Sequence, residues 1–211
     1  MTDDHYHQTR FTPDPRRRVL WQTLVAEVFQ KQIPPDATVL ELGSGYGEFI
    51  NAVRARRRIA VDQWPGMRDH LAPGVEGIVA RVHELAAVPD GEVDFVFSSN
   101  CFEHVPQAEL VACLGQLRRK MKPGATLTIV QPNYRLCPRE YFDDYTHVAI
   151  YTDRSLCDLL EANGFKITRC VPRFLPLTIK GRLPVMPWLI RLYLRSPFKP
   201  LAKQMLISAT A

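Results

Sequence analysis

After residue 37 the chain alternates short apolar, β-branched segments with segments whose leucines and alanines recur at helical spacing. Few architectures accommodate that order, because strands separated by helices pair in parallel and bury both sheet faces beneath the helices. Strands are expected over Ala37 to Leu42, Arg58 to Val61, Gly77 to Val82, Val93 to Ser98, Ala125 to Gln131, Phe165 to Val171 and Lys203 to Thr210. Helices are expected over Asp14 to Gln32, Glu48 to Arg56, Gln107 to Met121 and Asp153 to Asn163. Pro15 suits the first turn of the first helix, Lys122-Pro123-Gly124 stops the third, and Gly164 takes the C-cap role after the last.

Where the first strand gives way to its helix stands Glu41-Leu42-Gly43-Ser44-Gly45-Tyr46-Gly47. Glycines there let the backbone turn sharply and approach a ligand closely, and the following helix start is expected to offer free N–H donors. Asp62 closes the second strand, at a spacing that lets its carboxylate accept hydrogen bonds from both hydroxyls of a ribose. A dinucleotide fingerprint would place glycine at position 48, which is Glu, so an NAD-dependent oxidoreductase is disfavoured.

Two further stretches complete an ordered set: Asp94-Phe95-Val96-Phe97-Ser98-Ser99-Asn100 leading into Phe102-Glu103-His104-Val105, and Lys122-Pro123-Gly124 before the fifth strand. With the glycine turn and Ala60-Val61-Asp62, the chain resembles the class I S-adenosylmethionine-dependent methyltransferases from about Val19 to Phe165. The resemblance implies S-adenosyl-L-methionine as cofactor. By it Glu41 orders the turn or the cofactor amino group, the Gly43, Ser44 and Gly45 backbone lines the methionine part, and Asp62 holds the ribose. Gln63 and Trp64 then flank the adenine, and Ser99 and Asn100 face the methionine part and the methyl group. The acid that often follows the third strand to meet the adenine amine is absent from Ile78-Val79-Ala80-Arg81-Val82, leaving the Val82 or His83 backbone for that contact.

Methyl transfer from a sulfonium is an in-line displacement governed by positioning, with a base needed only for a protonated acceptor. His104, just past the fourth strand, has an unperturbed pKa suited to that work, or else it packs or caps a helix start. Asp143-Asp144-Tyr145-Thr146-His147 follows the fifth strand, and His147 or Asp144 is a candidate base for a hydroxyl acceptor. As an alternative, this cluster is a capped, solvated loop with Thr152 as N-cap of the next helix. The run from Gln131 to Phe165 is similar to small-molecule and glycan-associated methyltransferases. No Asn-Pro-Pro-Tyr or Asp-Pro-Pro-Tyr run follows the fourth strand, so base methylation of nucleic acid is disfavoured.

No acidic residue follows Glu161, while nine Lys or Arg residues do. Arg173, Lys180, Arg182, Arg191, Arg195 and Lys199 are interleaved there with Phe174, Trp188, Leu192, Tyr193 and Phe198. A packed lid with solvated charges, contact with an anionic membrane, pairing with an anionic acceptor, and nucleic-acid binding with bases stacked on the aromatics all fit that composition. Arg16-Arg17-Arg18 forms a second basic cluster, over the cofactor carboxylate or on a solvated helix face. The five cysteines lack disulfide or metal-site spacing, no metal is expected, and Met1 to Arg10 lacks the apolar run of a signal peptide. A cytoplasmic location is therefore expected, peripheral contact with a membrane aside.

The fold expected is α/β: a single doubly wound Rossmann-like domain whose seven-stranded, mostly parallel sheet has an antiparallel last strand. Residues 1–36 form an N-terminal helical extension and residues 172–202 a basic, apolar insertion. The activity expected is O-methylation of a small molecule, saccharide or lipid-linked saccharide, and the alternative is a non-catalytic cofactor-binding module that supports a partner.

Overall fold

The computed structural model describes residue 9, residues 11–177 and residues 184–211. Lys180 and Arg182 of the basic segment, and most of the polar Met1 to Arg10 stretch, lie outside the described residues. A seven-stranded sheet runs in the order β3-β2-β1-β4-β5-β7-β6. Its strands are β1 (Thr38–Leu42), β2 (Arg57–Asp62), β3 (Val75–Val79), β4 (Val93–Ser99), β5 (Met121–Pro132), β6 (Lys166–Pro176) and β7 (Ala202–Thr210). The first five pair in parallel, whereas β7 lies antiparallel between β5 and β6. The strand order reverses beside β1, and the crevice between the ends of β1 and β4 is where a sheet of this kind takes its ligand.

Five α-helices cover the sheet among the described residues: α1 (Pro15–Leu24), α2 (Glu48–Ala52), α3 (Gln107–Lys120), α4 (Asp153–Ala162) and α5 (Pro187–Arg195). Alternation along the strands sorts the core into two layers. Leu40, Leu42, Ile59, Val61 and Val96 pack with Leu110, Leu114 and Leu117 of α3 and Leu156 and Leu160 of α4. Val39, Ala60, Phe95 and Phe97 face the other way, onto Leu24, Phe29, Phe49 and Ile50. Here Phe97 is a hub, stacked on Phe49 at 3.8 Å between ring centroids and meeting Phe29 at 5.0 Å and Trp21 at 5.5 Å.

Several boundaries differ from expectation for local reasons. Asp14 caps α1 by accepting from the Arg16 N–H at 3.0 Å, and the helical path continues through a π turn (Val25–Phe29) and a 3-10 turn (Gln30–Gln32). The second helix ends at Ala52 rather than Arg56, because the Gln30 side chain takes the Arg54 N–H and donates to its carbonyl, holding that segment extended. The third strand occupies Val75–Val79 rather than Gly77 to Val82, since its partner β2 stops at Asp62, opposite Val79. Lys122-Pro123-Gly124 does not precede β5 but lies inside it, at a register shift against β4 that Gly124 accommodates with φ +78°. The sixth strand runs on to Pro176, prolines included, because it is an edge strand whose outer N–H groups need no partner.

Helix α5 falls within the basic segment. Ile190, Tyr193 and Leu194 pack onto the α1 side of the core, and Arg191 Nε binds Glu27 Oε1 at 2.7 Å. No helix among the described residues is long and apolar enough to cross a membrane.

Truncating the aromatic hub leaves a cavity the stacked rings cannot fill. Phe97→Ala should lower the unfolding free energy by about 3–5 kcal/mol in a denaturant titration, and Phe97→Leu by clearly less.

Candidate active site

The turn after β1 is built by three glycines in the left-handed region, Gly43 at φ +70°, Gly45 at +50° and Gly47 at +68°. Its N–H groups are already engaged within the chain. Gly43 and Ser44 donate to the Val61 carbonyl at 2.9 and 3.2 Å, Gly47 donates to the Ser44 carbonyl at 2.7 Å, and Gly45 donates to Asp62 Oδ2 at 2.7 Å. These N–H groups fix the turn, and α2 behind it, whose start was expected to offer free donors, is five residues long. Neighbours press on the turn so closely that side chains would not fit. A Cβ on Gly43 would lie 2.5 Å from Cys101 Sγ, and one on Gly45 would lie 2.9 Å from the Phe11 ring.

Asp62 stands at the centre of this arrangement, with Oδ2 on Gly45 N–H and Oδ1 accepting from Trp64 N–H at 2.9 Å. Glu41 is buried, and its Oε2 accepts from the Ile50 N–H at 3.1 Å, tying β1 to the first turn of α2. Burial, reinforced by the negative charges of Glu48 and Asp62, pushes the Glu41 carboxyl well above the usual carboxylate range. Gln63 is exposed, whereas Trp64 is buried in the α1-side core with its ring 5.2 Å from Tyr46. Val82 is buried, and the His83 carbonyl accepts from the Gln116 side chain.

Across the crevice, Asn100 holds φ +47°, in the left-handed region that Asn adopts more readily than most residues with a side chain. It is fixed from two sides: its N–H donates to the Val130 carbonyl at 2.9 Å, and Gln204 Nε2 donates to its Oδ1 at 2.9 Å. Its Nδ2 donates to Ser99 Oγ at 3.1 Å.

The 3-10 turn Phe102–His104 brings in the groups expected to handle the acceptor. The Glu103 carbonyl accepts from the Val148 and Ala149 N–H groups at 2.9 and 3.1 Å, docking the loop after β5 against the end of β4. His104 and His147 thereby meet with ring centroids 4.7 Å apart, and Tyr141 lies 4.6 Å from His147. Thr146 Oγ1 donates to Asp144 Oδ1 at 2.6 Å and lies 2.9 Å from His104 Nδ1. With its single proton on Asp144, the hydroxyl can only accept from Nδ1–H, which leaves the lone pair of His104 on Nε2.

The same packing alters His104 as a base. Burial, helped by the neighbouring His147 and opposed by Asp144, lowers its pKa to about 4, so it is neutral but weakly basic near neutrality. Burial tends to raise the Asp144 carboxyl, yet the Thr146 hydroxyl and N–H hold it below the usual range. Glu103 is 1% exposed, and burial raises its pKa to about 8. Thr146, Glu103 and Cys101 were given no role from sequence. Thr146 and Glu103 adjoin residues that were singled out, and the position of Cys101 against Gly43 carries no sequence signal.

Residues 14–169 match the profile of the family described as "Methyltransferase domain". The chain belongs to that family. S-adenosylmethionine is the cofactor of this methyltransferase, and the steric closeness at Gly43 together with Asp62 at the end of β2 fits it. A search of curated proteins gives no significant match. Among solved structures, a SAM-dependent methyltransferase from Archaeoglobus fulgidus shares 22% identity over 98% of both chains, with a TM-score of 0.68. A SAM-dependent methyltransferase from Aquifex aeolicus shares 19% identity over 93% of both chains, with a TM-score of 0.63. Geranyl diphosphate C-methyltransferase from Streptomyces coelicolor A3(2), solved with Mg2+, geranyl diphosphate and S-adenosyl-L-homocysteine, shares 16% identity over 90% of this chain and 78% of that one, with a TM-score of 0.62. At these identities the neighbours establish the fold.

Gly43→Ala tests the cradle, because its Cβ would collide with Cys101 on a backbone already in the left-handed region. It should weaken S-adenosylmethionine binding at least about tenfold by calorimetry, equivalent to about 1.4 kcal/mol or more.

Proposed function

We propose that the methyltransferase methylates an oxygen of a small-molecule, saccharide or lipid-linked acceptor. The observation that carries this reading is the cluster of His104, Thr146, Asp144 and His147 gathered at the sheet edge beside the glycine turn. The cofactor supplies an activated methyl group on a sulfonium, so the chain's own residues have to bind, orient and manage one proton. Asp62, at the end of β2, holds the ribose, Glu41 and the turn position the methionine part, and Ser99 and Asn100 border the transfer path. Gln63, Trp64, Val82 and His83 remain the adenine-side candidates. His147 takes the acceptor proton, with Asp144 as the other candidate base, and the Asp144–Thr146–His104 chain sets the ring beside it. His104 is assigned a positioning role, since its lowered pKa makes it the poorer base.

His147→Ala should lower turnover by about 10²–10⁴-fold in an acceptor screen with labelled S-adenosylmethionine on cell extract fractions, while cofactor affinity stays within about twofold. Asp62→Ala serves as the control that loses cofactor affinity. Unchanged turnover in His147→Ala would remove that residue from the mechanism, and the absence of any methylated acceptor would favour a non-catalytic cofactor-binding module.

An anionic or lipid-linked acceptor is supported by the edge that α5 adds. The register of Pro132 with Gln204, whose Nε2 donates to Asn100 Oδ1, sets the start of β7 at the same edge of the sheet as Asn100, and Phe198 and Leu201 lie in the segment leading into it. Both are exposed, as are Trp188 and Leu192. Part of the basic charge has local duties: Arg191 binds Glu27, and Lys199 Nζ donates to the Tyr193 and Leu194 carbonyls at the end of α5. The apolar edge therefore carries more of this reading than the charge does. Vesicles containing anionic lipid should co-sediment the chain in a salt-sensitive manner, and Trp188→Ser/Phe198→Ser should reduce the bound fraction several-fold.

A further inference from the structure

We propose that Glu103, His104 and His147 form a binding site for one divalent first-row transition cation at the acceptor edge of the crevice. The site stands on its own donor set, and it rests on the methyl-transfer reading only in giving the ion an acceptor to act on. One donor atom from each of the three residues lies within 4.8 Å of the others. Two imidazoles and a carboxylate are the donors of open catalytic sites, where three protein ligands leave a position for water or substrate. Bonds of about 2.0–2.2 Å place tetrahedral ligand atoms roughly 3.4 Å apart, so a pair at the 4.8 Å limit has to close by about 1.4 Å. Side-chain torsions of Glu103 and the histidines span that distance.

Two observations point to a ligand rather than to plain packing. Glu103 is almost wholly buried, yet its Oε2 has no hydrogen-bond partner among the described residues. A buried carboxylate oxygen without a donor is costly, and a cation is the partner that a pair of imidazoles can hold against it. Independently, His104 carries the outer support that metal-binding histidines require. Its Nδ1 faces Thr146 Oγ1, which in turn binds Asp144, so the ring is oriented with Nε2 as the ligating atom. The ion would place positive charge where an acceptor hydroxyl gives up its proton, and His147 would then serve as ligand in place of base.

The probe is Zn2+, titrated calorimetrically into the full chain carrying His5→Ala/His7→Ala, because the His5-x-His7 segment could bind metal by itself. One Zn2+ per chain is expected, with Mg2+ binding far more weakly. In the same background Glu103→Gln and His147→Ala should each lower Zn2+ affinity at least about tenfold, and the positioning variant Thr146→Val by about 10–100-fold. Thermal melts without metal separate ligand loss from misfolding, since Glu103→Gln keeps the size and polarity of the side chain. Zn2+ should raise the melting temperature of the background chain and leave that of Glu103→Gln unchanged. Zn2+ binding no tighter in the background than in Glu103→Gln would overturn the site. Cofactor binding is read in parallel: its loss with Zn2+ binding intact would strike the methyl-transfer reading alone, and the reverse result would strike the metal site alone.

Discussion

Asp62 joins three parts of the fold, two through its carboxylate and one through its backbone carbonyl. One oxygen fastens Gly45 in the turn after β1, the other fastens Trp64 in the segment after β2, and the Asp62 carbonyl accepts from the Ala80 N–H at 3.0 Å where β3 ends. Because the turn donates inward, its N–H groups hold the turn itself in place. The glycines are then explained by space as much as by dihedral angle, with Cys101 leaning on Gly43 and Phe11 on Gly45. Phe11 also meets Tyr46 at 5.3 Å and lies beneath the Arg17 guanidinium at 4.0 Å, so the segment ahead of α1 closes the turn from outside.

How much of this was legible depends on how local each determinant is. The strands β1, β2 and β4 and the glycine turn could be read because their signals, apolar runs and residues for special dihedral angles, lie within a few positions of one another. The third strand was displaced in the reading because its end is set by where β2 stops, a property of the partner and not of Val75–Val79. The second helix was overextended for a similar reason, since the group that ends it is the Gln30 side chain from another element. The Lys122-Pro123-Gly124 run read as a stop, yet parallel pairing with β4 absorbs it as an irregularity inside β5.

At the acceptor edge, sequence supplied the residues but not their meeting. His104 and His147 are brought together by the Glu103 carbonyl and the N–H groups of Val148 and Ala149, which any residues except proline could supply. Only the side-chain chain of Thr146 and Asp144 gives the junction chemical identity. Tyr141 completes it, buried behind His147 with its hydroxyl donating to the Ala149 carbonyl at 2.6 Å. That cluster lacks the periodicity or fixed spacing that makes a motif visible in one sequence.

Burial at this edge also decides the charge that a sulfonium donor would meet. Desolvation keeps His104 neutral and favours the neutral form of Glu103, while Asp144, held by Thr146, stays ionised. The edge therefore sets groups that favour the neutral form at His104 and Glu103 beside one ionised carboxylate at Asp144. The cost is a weak base at His104. The geometry that suppresses one charge state is the same one that orients the ring, because both follow from docking the Asp144–Ala149 segment onto Glu103.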